Sequence, residues 1–253
     1  LAAVLAPSLV LIIGWRGSLA ALGAINFLFG FVFSRLWREP FNVDCERSAE
    51  QEFATADATS LKVWQLLPIS CATAIYLVGQ MALITYVPLY LKDVMGFSPY
   101  WASQALALTQ AGAMAGRVGW GVVSDRLFHG RRKIVLIWIG IFSALLIAIL
   151  GTLQPQSSYY VLLPILFLAG VSIVGYQGVS YALVGEIAGK TRTGAGLGMM
   201  IAINSGAATL GTPIFGYIID RTGSYALAWE TLAVTVSIGI VGLALLLKEP
   251  KAN

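Results

Sequence analysis

The hexad Gly121-Val122-Val123-Ser124-Asp125-Arg126 returns 95 residues later as Gly216-Tyr217-Ile218-Ile219-Asp220-Arg221, and Gly116 and Gly211 agree at the same offset. Each copy closes a long apolar stretch. Three apolar runs, about Ile134–Leu153, Tyr159–Val184 and Thr193–Ile219, lie between the two Asp-Arg pairs. Runs of ~20 apolar residues cross a bilayer as helices. Three crossings is an odd number, so the two copies end on opposite sides. The chain is thereby constrained to an inverted-topology repeat, with the second triplet of helices upside down relative to the first.

Composition agrees with a membrane fold. Of 253 residues, 58% are hydrophobic and only 11% are charged. A soluble domain of this size carries about a quarter charged residues, so there is too little charge here to cover a water-facing surface. The net charge of +4 is no sign of nucleic-acid binding, because the basic residues cluster in loops between apolar runs, where topology demands them. Cys45 and Cys71 are too few for a disulfide framework. No Walker-type phosphate loop occurs, and no cofactor is expected.

The chain reads as three segments. Residues 1–37 hold a short apolar stretch to Ile13, a tight turn at Gly14-Trp15-Arg16-Gly17, and a full span from Ser18 to Trp37. The first stretch is too short to cross a bilayer at ~1.5 Å per residue. It lacks the basic start and small-residue cleavage site of a signal peptide, and reads as the tail of a helix from a longer protein. Residues 38–63 contain the long polar stretch Phe41–Lys62, which reads as a linker. Residues 64–253 carry six spans, about Trp64–Leu91, Trp101–Ser124, Ile134–Leu153, Tyr159–Val184, Thr193–Ile219 and Leu227–Leu247, joined by short loops that make neighbours antiparallel.

Lys and Arg set the orientation. One side collects Arg35, Arg38, Arg47, Lys62, Arg126, Arg131, Arg132, Lys133, Lys190, Arg192, Lys248 and Lys251, while the other receives Arg16, Lys92 and Arg221. The positive-inside rule places the linker, the Asp125 loop and the C-terminus in the cytoplasm of a cell-membrane protein.

Gly121-x-x-x-Asp125-Arg126 followed by Gly130-Arg131-Arg132 resembles the loop signature of the major facilitator superfamily, although Leu127-Phe128-His129 stands where one residue is usual. Gly14-Trp15-Arg16 resembles the turn between that family's fifth and sixth helices. Glu186 with Arg192 resembles its acidic-basic pair after helix ten. The resemblance implies an all-α polytopic membrane protein: a six-helix half made of two inverted three-helix repeats, preceded by one and a half helices of the other half, whose remainder would be a missing partner.

Two groups of residues carry the functional expectation. At the loop, Asp125 is placed to accept hydrogen bonds from a neighbouring helix N-terminus, and Arg126, Arg131 and Arg132 to pair with Glu186, with Arg192 nearby, forming a latch between conformations. Setting topology alone would not need Asp125 or Glu186. Arg117 is the one charge well inside a span, costly by at least ~2.5 kcal/mol at the bilayer centre. It falls on a seven-residue polar stripe with Ser103 and Gln110, and functional and snorkelling readings both remain open.

At midmembrane, Thr73, Tyr76 and Gln80 share one helix face, and Ser172, Tyr176 and Ser180 share another, with Gln177 and Tyr181 beside it. Polar side chains at this depth face protein or a water-filled cavity, and the plain alternative is helix–helix hydrogen bonding. The resemblance assigns the Tyr76 and Tyr176 helices to a central cavity, so Tyr76, Gln80, Tyr176 and Gln177, with Gln110 and Asn204, are the expected solute contacts across a wet space. Asn26, on a peripheral helix, is assigned to packing. The glycines Gly170, Gly175, Gly178 and Gly194 to Gly198 follow no strand and are read as close-packing positions rather than a nucleotide loop. Midmembrane Asp, Glu or His residues are absent from the 64–253 block, so a proton-relay carboxylate would have to lie in the other half.

The leading expectation is a secondary active transporter that moves a small polar organic solute by alternating access. The alternative is a truncated, nonfunctional or regulatory fragment of such a transporter. A membrane-embedded enzyme is disfavoured, because no nucleophile–base pair or metal cluster is visible.

Overall fold

The computed structural model describes residues 2–36, 63–153, 158–189 and 192–247. The expected linker, Phe41–Lys62, lies outside them. The chain divides into two units, residues 1–58 and 59–253.

In the first unit, α1 runs Ala2–Leu36 with a kink at Gly14, whose φ of 70° and ψ of 171° are non-helical. Only glycine adopts such a backbone without strain. The Ser18 hydroxyl donates to the Gly14 carbonyl at 2.8 Å and steadies the corner. Beyond it, the helix is exposed and apolar at Phe27, Leu28 and Phe29. Asn26 is exposed and donates to Leu22 O on its own helix.

The second unit is a helical bundle: α2 (Val63–Asp93), α3 (Pro99–Arg126), α4 (Arg132–Thr152), α5 (Tyr159–Ala169), a π-helical turn (Gly170–Val174), α6 (Gln177–Ala188), α7 (Thr193–Thr222) and α8 (Tyr225–Leu246). Segment α5–π–α6 forms one interrupted span. Among the described residues six stretches are long and apolar enough to cross a membrane: Ile13–Leu36, Trp64–Asp93, Arg132–Thr152, Tyr159–Ala188, Thr193–Thr222 and Tyr225–Leu246. Helix α3 is 28 residues long, or ~42 Å. Ser103, Gln104, Gln110 and Arg117 make it too polar to join that set on composition alone.

The inverted repeat is visible in the architecture. Shifted by 95 residues, α2, α3 and α4 fall on α5–π–α6, α7 and α8, with ends agreeing within two residues. Packing follows the same symmetry. Helix α2 packs most closely on α7, its counterpart span packs on α3, and α4 packs on α8, its own counterpart. The Asp125 and Asp220 copies lie at opposite ends of the bundle. Near the first, Lys133 reaches the last turn of α8; near the second, the Tyr225 hydroxyl donates to Asp93 at the end of α2.

The core is filled by Trp229, Tyr76, Tyr176, Ile69, Leu83, Leu136, Ile139 and Leu162, all essentially inaccessible. The α3 seam is held by small residues. A Cβ on Gly116 would run into the Val171 carbonyl and lie 2.8 Å from Val171 Cα. Lipid provides no hydrophobic drive between helices, so close backbone approach is what gains dispersion energy.

Candidate functional site

The midmembrane polar residues divide into a buried cluster and an open face. In the cluster, the Tyr76 and Tyr176 rings meet edge-on, with centroids 5.4 Å apart and planes at 80°. The Tyr76 hydroxyl donates to Leu136 O at 3.0 Å. It lies where a side chain at Gly140 would be, so α4 leaves room for it by having none. The Tyr176 hydroxyl donates to Thr73 O at 3.4 Å, and the Thr73 hydroxyl, which donates to Ile69 O at 2.8 Å, also lies 3.2 Å from Asn204 Oδ1. This joins α2, α4, α6 and α7 through one polar network. Ser172 and Ser180 bond back to Leu168 O and Gln177 O of their own span.

The two stripes meet at the Tyr76 and Tyr176 rings, which are in contact with no space between them. Glycine is the physical reason. Gly79 admits Ile173 of the π turn and Gly140 admits the Tyr76 hydroxyl, so the spans close without a gap. Gln80 differs from its neighbours. It is 6% exposed, and its Oε1 has no hydrogen-bond partner. An unpaired buried acceptor costs about 1–3 kcal/mol, so this oxygen is available to a polar group that reaches it.

The open face lies along α3 and α6. Gln110 and Arg117 are exposed on α3. A Cβ on Gly178 would sit 3.1 Å from the Arg117 carbonyl, so α6 passes close to the α3 backbone at Arg117. Gln177 is half-buried and Tyr181 is 40% exposed. Among the described residues Arg117 is the one charge more than two turns from a helix end or kink.

At the Asp125 end, Arg132 Nε stands 2.7 Å from Glu186 Oε1. The contact is an ion pair rather than an aligned hydrogen bond, since Nε finds no partner of proper hydrogen-bond geometry. Of the three arginines expected to pair with Glu186, this is the one that does. Arg126 and Arg131 are exposed, and Arg192 is the residue before the first turn of α7. Asp125 is exposed on the last turn of α3, and among the described residues no helix N-terminus donates to it. The two extra loop residues are taken up by a tight reversal, with positive φ at His129 (50°) and Gly130 (78°) and a Gly130 N–H to Ser124 O bond of 2.9 Å. Lys133 donates to Ala244 O and Leu247 O at 2.8 and 2.6 Å, capping α8. Its cation meets the negative end of the helix dipole there. Among the described residues no cluster of three His, Cys, Asp or Glu could hold a metal.

Sequence patterns of the Major Facilitator Superfamily match residues 1–171 and again residues 120–253. The chain belongs to the major facilitator superfamily. Relatives within it include a probable sulfoacetate transporter of Cupriavidus necator, 27% identical over 258 residues and covering 92% of this chain and 59% of that protein. The hexose-6-phosphate:phosphate antiporter of Escherichia coli K12 is 30% identical over 228 residues, 87% of this chain and 46% of its own length. Monocarboxylate transporter 13 of Rattus norvegicus is 27% identical over 154 residues, 60% of this chain and 35% of that protein. The chain thus spans about half the length of the curated relatives it matches. In superfamily terms it is a multi-pass membrane protein built on one inverted-repeat half.

Sequence reasoning missed Trp120, Gly140 and the π turn. The indole of Trp120 donates to Val171 O at 2.8 Å. A five-residue gap between Gly170 and Gly175, which no α-helical face accommodates, was the available signal for the turn.

Proposed function

We propose that this chain forms one half of a secondary transporter for small organic anions and works against a second six-helix half by alternating access. The observation that carries the anion reading is Arg117, a fixed positive charge well inside the least apolar span, two turns from Gln110 on the same helix and opposite the backbone of Gly178. A cation at membrane depth is costly, and an oxyanion that pairs with it offsets that cost while accepting bidentate hydrogen bonds. The relatives named for sulfoacetate, hexose-6-phosphate and monocarboxylate transport support the same class, since each solute carries an oxyanion.

In this reading Gln177 and Gln110 supply amide hydrogen bonds to the solute and the Gln80 oxygen accepts from it. Tyr76 and Tyr176 shape the floor of the site, and Asn204 with Thr73 holds α7 in place. The Arg132–Glu186 pair latches α4 to α6 in one state and parts in the other. The charge asymmetry supports a cytoplasmic location for this latch and for the C-terminus.

The test is uptake by the full-length protein in proteoliposomes, assayed with sulfonates, organic phosphates, monocarboxylates and neutral sugars. Arg117→Gln is expected to raise KM for the accepted anion by at least about tenfold, with partial recovery in Arg117→Lys. Transport of neutral sugars alone, or an Arg117→Gln protein with unaltered anion kinetics, would overturn the anion reading.

A further inference from the structure

We propose that Trp120 is a positioning residue of the solute site: its indole N–H holds the π turn of the α5–α6 span and so sets the direction in which Tyr176 and Gln177 leave it. The role in transport rests on the reading of Gln177 as a solute contact.

In an α-helix the Val171 carbonyl would accept the Gly175 N–H. Here Gly175 N–H pairs with Gly170 O at 3.1 Å, and Val171 O accepts the Trp120 indole at 2.8 Å. Within a bilayer a displaced backbone carbonyl must find its partner inside the protein. Trp120 can supply it because α3 lies against the turn. Gly116, one helical turn earlier on the same face, abuts the Val171 backbone, and a Cβ on Gly175 would lie 2.9 Å from Gly116 Cα.

The turn decides which residues face where. At ~100° per residue, two positions five apart on a regular helix point roughly 140° away from each other. Yet Gly170 and Gly175 both pack on α3, against Thr109 and Gly116, and Gly178 follows them onto Arg117. The extra residue held in the π turn brings these glycines onto one side. Were the span to relax to a regular helix, everything beyond the turn would rotate by about 100°. Gly178 would lose its place against the Arg117 backbone, and Gln177 would turn with it. Trp120 therefore acts on the solute through the backbone of the neighbouring span, without touching it.

Trp120→Phe keeps the ring and removes the N–H. Trp229→Phe is the matching control, since the buried Trp229 Nε1 has no hydrogen-bond partner. Both variants of the full-length protein, in lipid nanodiscs, are compared by hydrogen–deuterium exchange over residues 170–178 and by uptake kinetics. Trp120→Phe is expected to speed exchange there and raise KM, each by roughly three- to tenfold, the equilibrium equivalent of one hydrogen bond, while Trp229→Phe does neither. Trp120→His, which retains a ring N–H, should recover part of both effects; a His variant as loose as the Phe variant counts against the N–H as the holding group. Unaltered exchange in Trp120→Phe overturns the hold on the turn, and faster exchange with an unaltered KM overturns the positioning role. Failure of the solute site would show separately, as wild-type KM in both Gln80→Ala and Gln177→Ala.

Discussion

Gly116 and Gly211 occupy the same position in the two repeats, yet the structure predicts different responses when each is enlarged. Replacing glycine by alanine inside a helix favours the helix by about 1 kcal/mol. Against this stands the space the new methyl enters. At Gly116 it meets backbone: the Val171 carbonyl, Val171 Cα at 2.8 Å and Val171 C at 2.9 Å. Helix α3 can relieve that only by moving off the π turn as a body. Overpacking of this kind costs about 1–3 kcal/mol or more, so Gly116→Ala should be net destabilising by roughly 1–2 kcal/mol. At Gly211 the methyl meets only a side chain, the two Val78 methyls at 2.6 Å. Val78 is stiff, so Gly211→Ala alone should fall within about 1 kcal/mol of neutral. With Val78→Ala alongside, the clash disappears and the helix preference remains. The pair should then show a favourable coupling of at least about 1 kcal/mol in a double-mutant cycle. The matching cycle of Gly116→Ala with Val171→Ala should show none, because the obstructing atoms are backbone. Thermal unfolding in detergent reads both cycles; for a bundle this size, 1 kcal/mol corresponds to a Tm shift of about 2–4 °C. Rescue of Gly116→Ala by Val171→Ala, or a Gly116→Ala protein as stable as Gly211→Ala, would refute the reasoning.

Four further outcomes are expected. Glu186→Gln should change stability by under about 1 kcal/mol, since the pair with Arg132 is partly exposed, yet slow transport; the reversed pair Arg132→Glu with Glu186→Arg should restore it, and no recovery in uptake would count against a latch. Lys133→Met should loosen the last turn of α8 by about 0.5–1.5 kcal/mol, seen as faster exchange of residues 243–247 with the rest of the bundle unaltered. Tyr76→Phe should cost about 1 kcal/mol of stability by freeing Leu136 O and leave KM unaltered, so a raised KM would return Tyr76 to the solute-contact set. In right-side-out vesicles a membrane-impermeant thiol reagent should label cysteine at position 222 and not at 129; the reverse pattern would invert the proposed topology.

Sequence alone determined that the chain is a membrane bundle, roughly where most of its spans begin and end, and that its second triplet inverts the first. Hydropathy, charge placement and the 95-residue repeat are properties of linear order, and the bilayer and positive-inside rules act on linear order directly. The Arg132–Glu186 contact was legible as one of several pairings because both groups fall at the same helix ends. Which face of each span packs inward was decided by tertiary structure. Gln80 and Gln110 look alike in sequence, yet one is buried with an unpaired oxygen and the other is exposed. That Ile173 packs onto Gly79 and the Tyr76 hydroxyl onto Gly140 could not be read from the spacing of the tyrosine stripes. The reason is the solvent. A soluble helix marks its inner face with apolar residues; in lipid, outer and inner faces are equally apolar, and orientation is settled by close packing and by backbone groups that must find partners inside the protein. The Trp120–Val171 bond is such a pairing, made 51 residues apart and formed only once two spans lie side by side.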